Sequence, residues 1–428
     1  MTDEDRQDLE QEIPPQVAGG DYAPSVAARM ALWQRAGGVV LPLVTTIFAF
    51  LMGMIVIAAT GHNPFTAFRG IFNGTGLNWF FPWVLGQDRS DAAFNLQQTL
   101  ILTATLILTG LAVSFAFKCG LFNIGGQGQY IVGAAVATWV GSSWGHTVSG
   151  ELGPEQASSF SPVLHIAIAV ALASVAGALW AAIAGFLKAT VGAHEVITTI
   201  MLNWIAIYVA QYLFGRGGPL QNTVDQSIPI SSDVITDTRL PVFWGDPDLQ
   251  GLHVGLFIAL AMPVVFWIIL NRTTLGYEVR ATGFNPDAAR YGGISVRKSY
   301  VSAMAISGFF AGLAGAIDIL GWQYRLGVLD IQVSNIGFIG IAVALLGRNS
   351  AIGIPLGALL FGALVQGTST RNPAIQDVFP PELAGNLTLI IQGLVLLFVG
   401  ADLLFIYLWQ ARKKLPLRTQ AAPAREQA

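Results

Sequence analysis

Long apolar runs separated by short polar stretches occupy most of the chain. We identify ten such runs, nine of which lie near the length of roughly 20 residues with which a helix crosses a bilayer. We therefore predict an all-α, polytopic membrane helix bundle with about ten transmembrane segments. The predicted segments are 38–60, 96–116, 121–141, 164–187, 196–214, 251–270, 300–320, 335–347, 351–368 and 386–408.

One of the ten runs, 335–347, is too short to cross a bilayer by itself, so we predict that it is half of a broken helix or extends into its flanks. The acidic stretch 1–37, with Pro14-Pro15 and Gly19-Gly20, is predicted to be a disordered cytosolic tail. Residues 411–428 form a second, basic tail, which leaves 38–410 as the transmembrane domain.

Composition supports the membrane class. Of the 428 residues, 53% are hydrophobic and only 11% are charged, against about 25% charged in ordinary soluble domains. The net charge of −3 points to no electrostatic partner, and nucleic acid is not expected. The single cysteine, Cys119, excludes a disulfide within the chain, and with five scattered histidines we predict no metal site.

The distribution of charge predicts the orientation, because Lys and Arg are enriched in cytoplasmic loops. With both termini in the cytoplasm, the inner segments hold 16 of the 22 basic residues, and the outer loops hold six basic and 12 of the 25 acidic residues. The stretch 272–299, which we call the coupling loop, then lies inside with five basic residues.

The coupling loop contains a short helix with both ends marked, "FNPDAARYGG". Asn285 is suited to cap the first amides, and Pro286 to the first helical position. Asp287 places negative charge at the positive end of the helix dipole, and Gly292 is predicted to take the left-handed terminal conformation. A basic loop that only contacts anionic lipid would explain the charge but not a capped helix, so a docking element is favoured.

The stretch "NIGGQGQYIVG" places Asn123, Gln127 and Gln129 among four glycines at the start of a predicted span. Glycine permits unwinding, and amides within a membrane normally face protein or water. The stretch is therefore either a discontinuous helix that lines a transport pathway or a tightly packed segment whose amides bond to neighbouring helices.

Segment 196–214 carries a second polar and aromatic set. Asn203 and Gln211 are eight residues apart, and Trp204 and Tyr208 are four apart, which predicts one polar-aromatic face. Such a face can stack a planar base or sugar ring. Helix packing combined with an interfacial aromatic belt is the alternative.

Acidic residues are rare in the predicted spans, where only Asp318 and Asp402 occur, both towards segment ends. An ion-coupled carrier needs ionisable or oxygen ligands near the midplane, so their scarcity favours a neutral polar cargo. No lysine follows a glycine, so the chain lacks a phosphate-binding P-loop. We predict no catalytic residues and no cofactor in this chain.

Three motifs resemble the permeases of ATP-binding cassette (ABC) importers, in the branch that serves branched-chain amino acids, simple sugars and nucleosides. They are "LGYEVRATGFNPDAARYGGISVRKSYVSAMAISGFFAGLAGA", "FNIGGQGQYIVGAAVA" and "HEVITTIMLNWIAIYV", the last of which is most similar to nucleoside and simple-sugar members. The resemblance extends from about residue 95 to 408; the acidic tail and residues 61–95 lie outside it.

The resemblance implies a multi-pass permease subunit in a bacterial plasma (inner) membrane, importing a nucleoside or a simple sugar. Its implied partners are an ABC ATPase that binds ATP-Mg, a second permease, identical or homologous, and an extracytoplasmic substrate-binding protein. An importer of branched-chain amino acids and an ion-coupled carrier remain alternatives. The residues implied to contact the ATPase are Gly283, Asn285, Pro286, Ala288, Ala289 and Gly292, and those proposed for the substrate pathway are Asn123, Gln127, Gln129, Asn203 and Trp204.

Overall fold

The structure is a computed structural model that describes residues 46–150, 153–158, 160–222, 224, 226–249 and 251–369, together with isolated positions between 386 and 397. The two predicted tails, 1–37 and 411–428, and nearly all of the predicted segment 386–408 lie outside the described residues. Within the described part the chain is mostly helical.

Thirteen α-helices are defined in the described ranges. They are α1 (Thr46–Ala59), α2 (Pro64–Gly74), α3 (Gly86–Lys118), α4 (Gly126–Ser143), α5 (Pro162–Val191), α6 (Glu195–Phe214), α7 (Gly255–Arg272), α8 (Thr274–Phe284), α9 (Pro286–Tyr291), α10 (Val296–Asp318), α11 (Val328–Val333), α12 (Ile336–Leu346) and α13 (Gly353–Gly367). Short 3₁₀ turns lie at Leu77–Phe80, Thr236–Thr238 and Pro247–Leu249, and a π-helical turn, Ile319–Gln323, extends α10.

Two small antiparallel hairpins complete the secondary structure. Strand β1 (Gly145–Gly150) pairs with β2 (Gly153–Ser158), with Gly145 opposite Ser158. Strand β3 (Val242–Trp244) pairs with β4 (Leu252–His253) just before α7. Both hairpins connect helices and neither contributes a layer of its own.

The helices confirm most of the apolar segments, with two differences. Helix α3 begins at Gly86, ten residues before the predicted 96, because its first turns are polar and carry no apolar signal. The stretch 61–95, for which no helix is predicted, contains α2, which Asn63 caps by accepting a hydrogen bond from the Phe65 amide at 2.9 Å. Six helical segments of the described part, one of them α11 and α12 taken together, are long and apolar enough to cross a membrane, so the number ten stays a prediction.

The broken helix is confirmed. Helix α11 ends at Val333 and α12 begins at Ile336, so the chain leaves the helical path at Ser334 and Asn335. Together the two pieces cover Val328–Leu346, a length sufficient to cross a membrane. We call the two residues between them the α11–α12 break.

Helices α3 and α10 form the centre of the described bundle, and most of their side chains are buried. Helix α5 packs against α10 through small residues. A Cβ on Gly177 would lie 2.5 Å from the Gly308 carbonyl oxygen, so the two backbones touch where only glycine fits. Helices α5 and α6 bury a narrow side and expose large apolar side chains on the other, as helices at a membrane-facing or partner-facing surface do.

Candidate functional site

The helix predicted in the coupling loop is present as α9. The Asn285 side-chain oxygen accepts hydrogen bonds from the amides of Asp287 (3.0 Å) and Ala288 (3.1 Å), and Pro286 occupies the first helical position. Both features confirm the sequence analysis. Asp287 also accepts a hydrogen bond from Arg290 at 3.1 Å, an exposed pair that adds little stability.

The predicted end of α9 is wrong by one residue. Gly292 has a φ of −74°, which any residue adopts, whereas Gly293 takes the left-handed φ of 84°. The Ile294 amide bonds back to the Ala289 carbonyl at 2.9 Å, so the helix closes one residue later than the first glycine suggests.

Two of the residues implied to contact the ATPase pack against the rest of the protein. Ala289 is 5% exposed, and Gly283 packs against the end of α3, where a Cβ would lie 2.3 Å from the Lys118 carbonyl oxygen. Ala289 is therefore buried, whereas Gly283 is partly exposed and its backbone supports the loop. The other four are exposed: Asn285, Pro286, Ala288 and Gly292.

Two aromatic residues that the sequence analysis did not select stand out at α9. Phe284, directly before the helix cap, is 92% exposed, and Tyr291, at the last helical position, is 97% exposed. Large aromatics this exposed at a protein surface are typical of interfaces with a partner. Their position at either end of a capped six-residue helix is the signal that could have identified them.

The base beneath α9 is tightly built. The Thr273 hydroxyl caps α8 by accepting a hydrogen bond from the Gly276 amide at 3.1 Å. Gly276 itself approaches α7, where a Cβ would lie 2.1 Å from the Ile269 carbonyl oxygen. Beside Gly283, burial raises the pKa of the Cys119 thiol to about 12, so this cysteine stays protonated and unreactive.

The amides of the stretch 123–129 bond to neighbouring segments. The Asn123 Nδ2 donates to the Ser307 hydroxyl of α10 at 2.7 Å and to Gln129 Oε1 at 2.9 Å, and Gln129 Nε2 donates back to Asn123 Oδ1 at 3.0 Å. Asn123 is 0% and Gln129 2% exposed. This network joins the unwound start of α4 to the middle of α10.

Gln127 bonds to the α11–α12 break. Its Nε2 donates to the Ser334 carbonyl oxygen at 2.9 Å, and its Oε1 accepts from the Gly337 amide at 2.8 Å. On the next residue, the Gly128 amide donates to Asn203 Oδ1 of α6 at 2.7 Å, while Asn203 Nδ2 donates to the Ile124 carbonyl oxygen at 3.0 Å. The amides of Gln127 and Asn203 are therefore engaged with protein, as the packing alternative describes.

The predicted polar-aromatic face of α6 is divided between two sides of the helix. Asn203 is 2% exposed and faces α4, whereas Trp204 is 54% and Tyr208 63% exposed. The Trp204 and Tyr208 rings stack on each other with centroids 6.2 Å apart. One helical step of about 100° per residue separates 203 from 204, which is why neighbours in sequence point in different directions.

The buried carboxylate of Asp318 accepts hydrogen bonds from two neighbouring side chains. The Tyr130 hydroxyl and Gln323 Nε2 (2.5 Å) both donate to its Oδ2. Gln323 belongs to the π-helical turn, whose last residue leads to Tyr324 with a left-handed φ of 57°. Among the described residues no group of three His, Cys, Asp or Glu side chains is arranged to hold a metal ion.

The family of the chain follows from comparison with known proteins. The family described as "Branched-chain amino acid transport system / permease component" matches residues 95–400, more than half of the chain. The chain therefore belongs to this family of ABC transporter permeases. It is a multi-pass membrane transport component and not an enzyme.

Three relatives are similar over most of their length. The guanosine ABC transporter permease protein NupP of Bacillus subtilis is 35% identical over 369 residues, 86% of this chain and 95% of that protein. The nucleoside ABC transporter permease protein NupB of Lactococcus lactis is 36% identical over 359 residues, 82% and 88% of the two chains. The glucose ABC transporter permease protein TsgB13 of Haloferax volcanii is 33% identical over 365 residues, 84% and 86%. No solved structure matches the chain significantly.

Proposed function

We propose that this permease carries a nucleoside across a bacterial plasma (inner) membrane into the cytoplasm, driven by ATP hydrolysis on a separate ABC ATPase. The observation that carries the proposal is the similarity to NupP and NupB over more than four fifths of the chain. The similarity to the glucose permease TsgB13 keeps a simple sugar as the second candidate cargo.

The contact with the ATPase, which we call the motor contact, is proposed to lie at α9. A capped helix held on a rigid base transmits force better than a flexible loop, and the exposed Phe284 and Tyr291 supply apolar area for a cleft on the ATPase. Asn285, Pro286, Ala288 and Gly292 complete the exposed surface. Movement of the ATPase would reach the bundle through α8, because Gly283 packs directly on α3.

The remaining partners follow from the class of transporter. An ABC importer works with an ATPase that binds ATP-Mg and with an extracytoplasmic binding protein that delivers the cargo. The described part of the chain has one helix of the α9 type, so a second permease would supply a second docking point. A related protein, the guanosine ABC transporter permease protein NupQ of Bacillus subtilis, is 28% identical over 280 residues, which supports a homologous second permease.

Cargo can be tested by uptake into vesicles that contain the permease, its second permease, the ATPase and the binding protein. With ATP inside, on the ATPase side, we expect radiolabelled guanosine or another nucleoside to accumulate and glucose or leucine not to do so. Accumulation of glucose alone would replace the nucleoside by the second candidate. Accumulation of leucine alone would favour the branched-chain amino acid alternative.

A further inference from the structure

Helix α6 exposes aromatic side chains in the middle of its length. Trp204 is the tenth of the 20 residues of α6, so it lies about 15 Å from either end of the helix. Tryptophan and tyrosine of membrane proteins concentrate at the two membrane surfaces. An outward-facing tryptophan at mid-depth, stacked on Tyr208, therefore favours contact with something other than lipid tails.

The α11–α12 break lies beside the middle of α6. Gln127 bonds to Ser334 at the break, and its neighbour Gly128 bonds to Asn203 of α6. The two contacts place the break and Asn203 at the same level against α4, and α11 packs next to α6. The sides of α6 and of the break that point away from α4 consequently border one surface.

The break adds polar groups to that surface. The side chains of Gln332 and Asn335 are exposed, and neither makes a hydrogen bond to any of the described residues. An unpaired amide in contact with hydrocarbon costs several kcal/mol. The side chains of Gln332 and Asn335 therefore face water or a polar partner. A surface in contact with lipid tails would provide neither.

We infer that Trp204, Tyr208, Gln332 and Asn335 form the cargo-contact face of the transport pathway, and that this face takes a planar heteroaromatic ring with a hydrogen-bonding edge. The aromatic rings stack on the face of the base, and the two amides bond to its edge. This inference rests on the proposed function, since it assigns the site at which a nucleoside would be recognised. Asn203, which the sequence analysis proposed for the substrate pathway, is not part of this face, because its side-chain amide already bonds to Gly128 and Ile124.

The KM for nucleoside uptake by the complete importer tests the cargo-contact face. Trp204→Leu removes the ring and keeps an apolar side chain, and Trp204→Phe keeps a smaller ring. Trp267→Leu on α7 is the matched control, because Trp267 is also exposed, at 44%. We expect Trp204→Leu to raise the nucleoside KM by about tenfold or more, with a smaller rise for Trp204→Phe and none for Trp267→Leu.

Thiol labelling provides a readout that does not depend on transport. Cys119 is the single cysteine of the sequence, so in a Cys119→Ala background the Asn335→Cys variant carries one thiol, at position 335. We expect a charged, membrane-impermeant maleimide to modify this residue in at least one nucleotide state, and guanosine to slow the modification.

The outcomes separate the inference from the proposed function. If the wild-type importer moves no nucleoside, the proposed function fails first. If it does, but Trp204→Leu leaves the KM unchanged, the cargo-contact face is wrong. Loss of the second permease from the purified Trp204→Leu complex would assign this surface to a subunit interface, and absence of Asn335→Cys labelling in every nucleotide state would assign it to lipid; either result would overturn the inference.

Discussion

Gly283 of α8 lies directly against the carbonyl group of Lys118, so that a Cβ on the glycine would be 2.3 Å from the carbonyl oxygen. This contact joins the coupling loop to α3, one of the two central helices of the bundle. Motion of α9 can reach the bundle through this contact and through the short connection to α10 at 292–295. The close packing of two backbones makes the connection stiff because neither side has a flexible side chain to yield.

Gly283→Ala tests this connection. The methyl group has to displace backbone, so we expect a loss of about 1–3 kcal/mol in the free energy of unfolding, measured as a lower unfolding temperature in detergent. Gly292→Ala is the control, because a Cβ there meets nothing closer than the Ala289 carbonyl oxygen at 3.5 Å. Equal unfolding temperatures for Gly283→Ala and wild type would show that α8 does not pack on α3 in this way.

Phe284→Ser and Tyr291→Ser test the proposed motor contact. Both side chains are more than nine-tenths exposed, so the folded permease loses no packing and its unfolding temperature should not change. Binding of the ATPase should weaken by about 2 kcal/mol or more for each anchor residue, measured as copurification and as the affinity for the isolated ATPase. Tyr277→Ser, at a 63% exposed position on α8, is a control for loss of an exposed ring. Undiminished ATPase binding by the double variant would place the motor contact elsewhere.

Asn123→Ala tests the polar network between α4 and α10. The substitution leaves the Gly125 amide, which donates to Asn123 Oδ1 at 2.8 Å, and the Gln129 side chain without their partner in a buried place. We expect a loss of about 1–3 kcal/mol in stability, read from the unfolding temperature. Asn335→Ala should leave that temperature unchanged, because its exposed amide has no partner among the described residues. Equal stability of the two variants would contradict the structural role of Asn123.

His253 predicts a pH dependence of stability. Burial lowers the pKa of its imidazole to about 4, and its Nδ1 accepts a hydrogen bond from the Gly255 amide at 3.2 Å, so the folded protein holds it neutral. In the unfolded chain it binds a proton near pH 6.5. Between pH 6.5 and 4 the unfolded state therefore binds more protons, and stability falls as the pH falls.

The His253→Gln variant separates this histidine from other titrating groups. It should show a shallower fall in unfolding temperature between pH 6.5 and 4 than the wild type does, whatever its stability at pH 8. Parallel curves for the two proteins would mean that His253 is accessible to protons in the folded state.

The sequence predicted the helical membrane class, the break before Ile336 and the capped helix α9, because each has a local signal: apolar run length, a run too short to span, and an Asn-Pro pair. It did not show that Ala289 is buried or that Gly283 packs on the end of α3. That depends on packing against α3 and on the register of a six-residue helix, which no local pattern specifies.

The buried polar residues of the bundle show a similar limit. The sequence identified Asn123, Gln127 and Asn203 as polar groups within the bundle, but their hydrogen-bond partners come from segments up to 210 residues away. The sequence carries no signal that singles out Gln332, just before the predicted segment 335–347, or Asn335, its first residue. The packing of α11 beside α6, which the inference about these two residues uses, appears only in the structure.

The most direct test of the account is the energy source for uptake. In vesicles that contain the complete importer, guanosine should accumulate only when ATP is supplied to the ATPase, and the Phe284→Ser/Tyr291→Ser double variant should abolish accumulation while the permease stays folded. Dissipating proton and sodium gradients should have no effect. Accumulation without ATP, or accumulation that stops when the ion gradients are dissipated, would contradict a permease driven through α9.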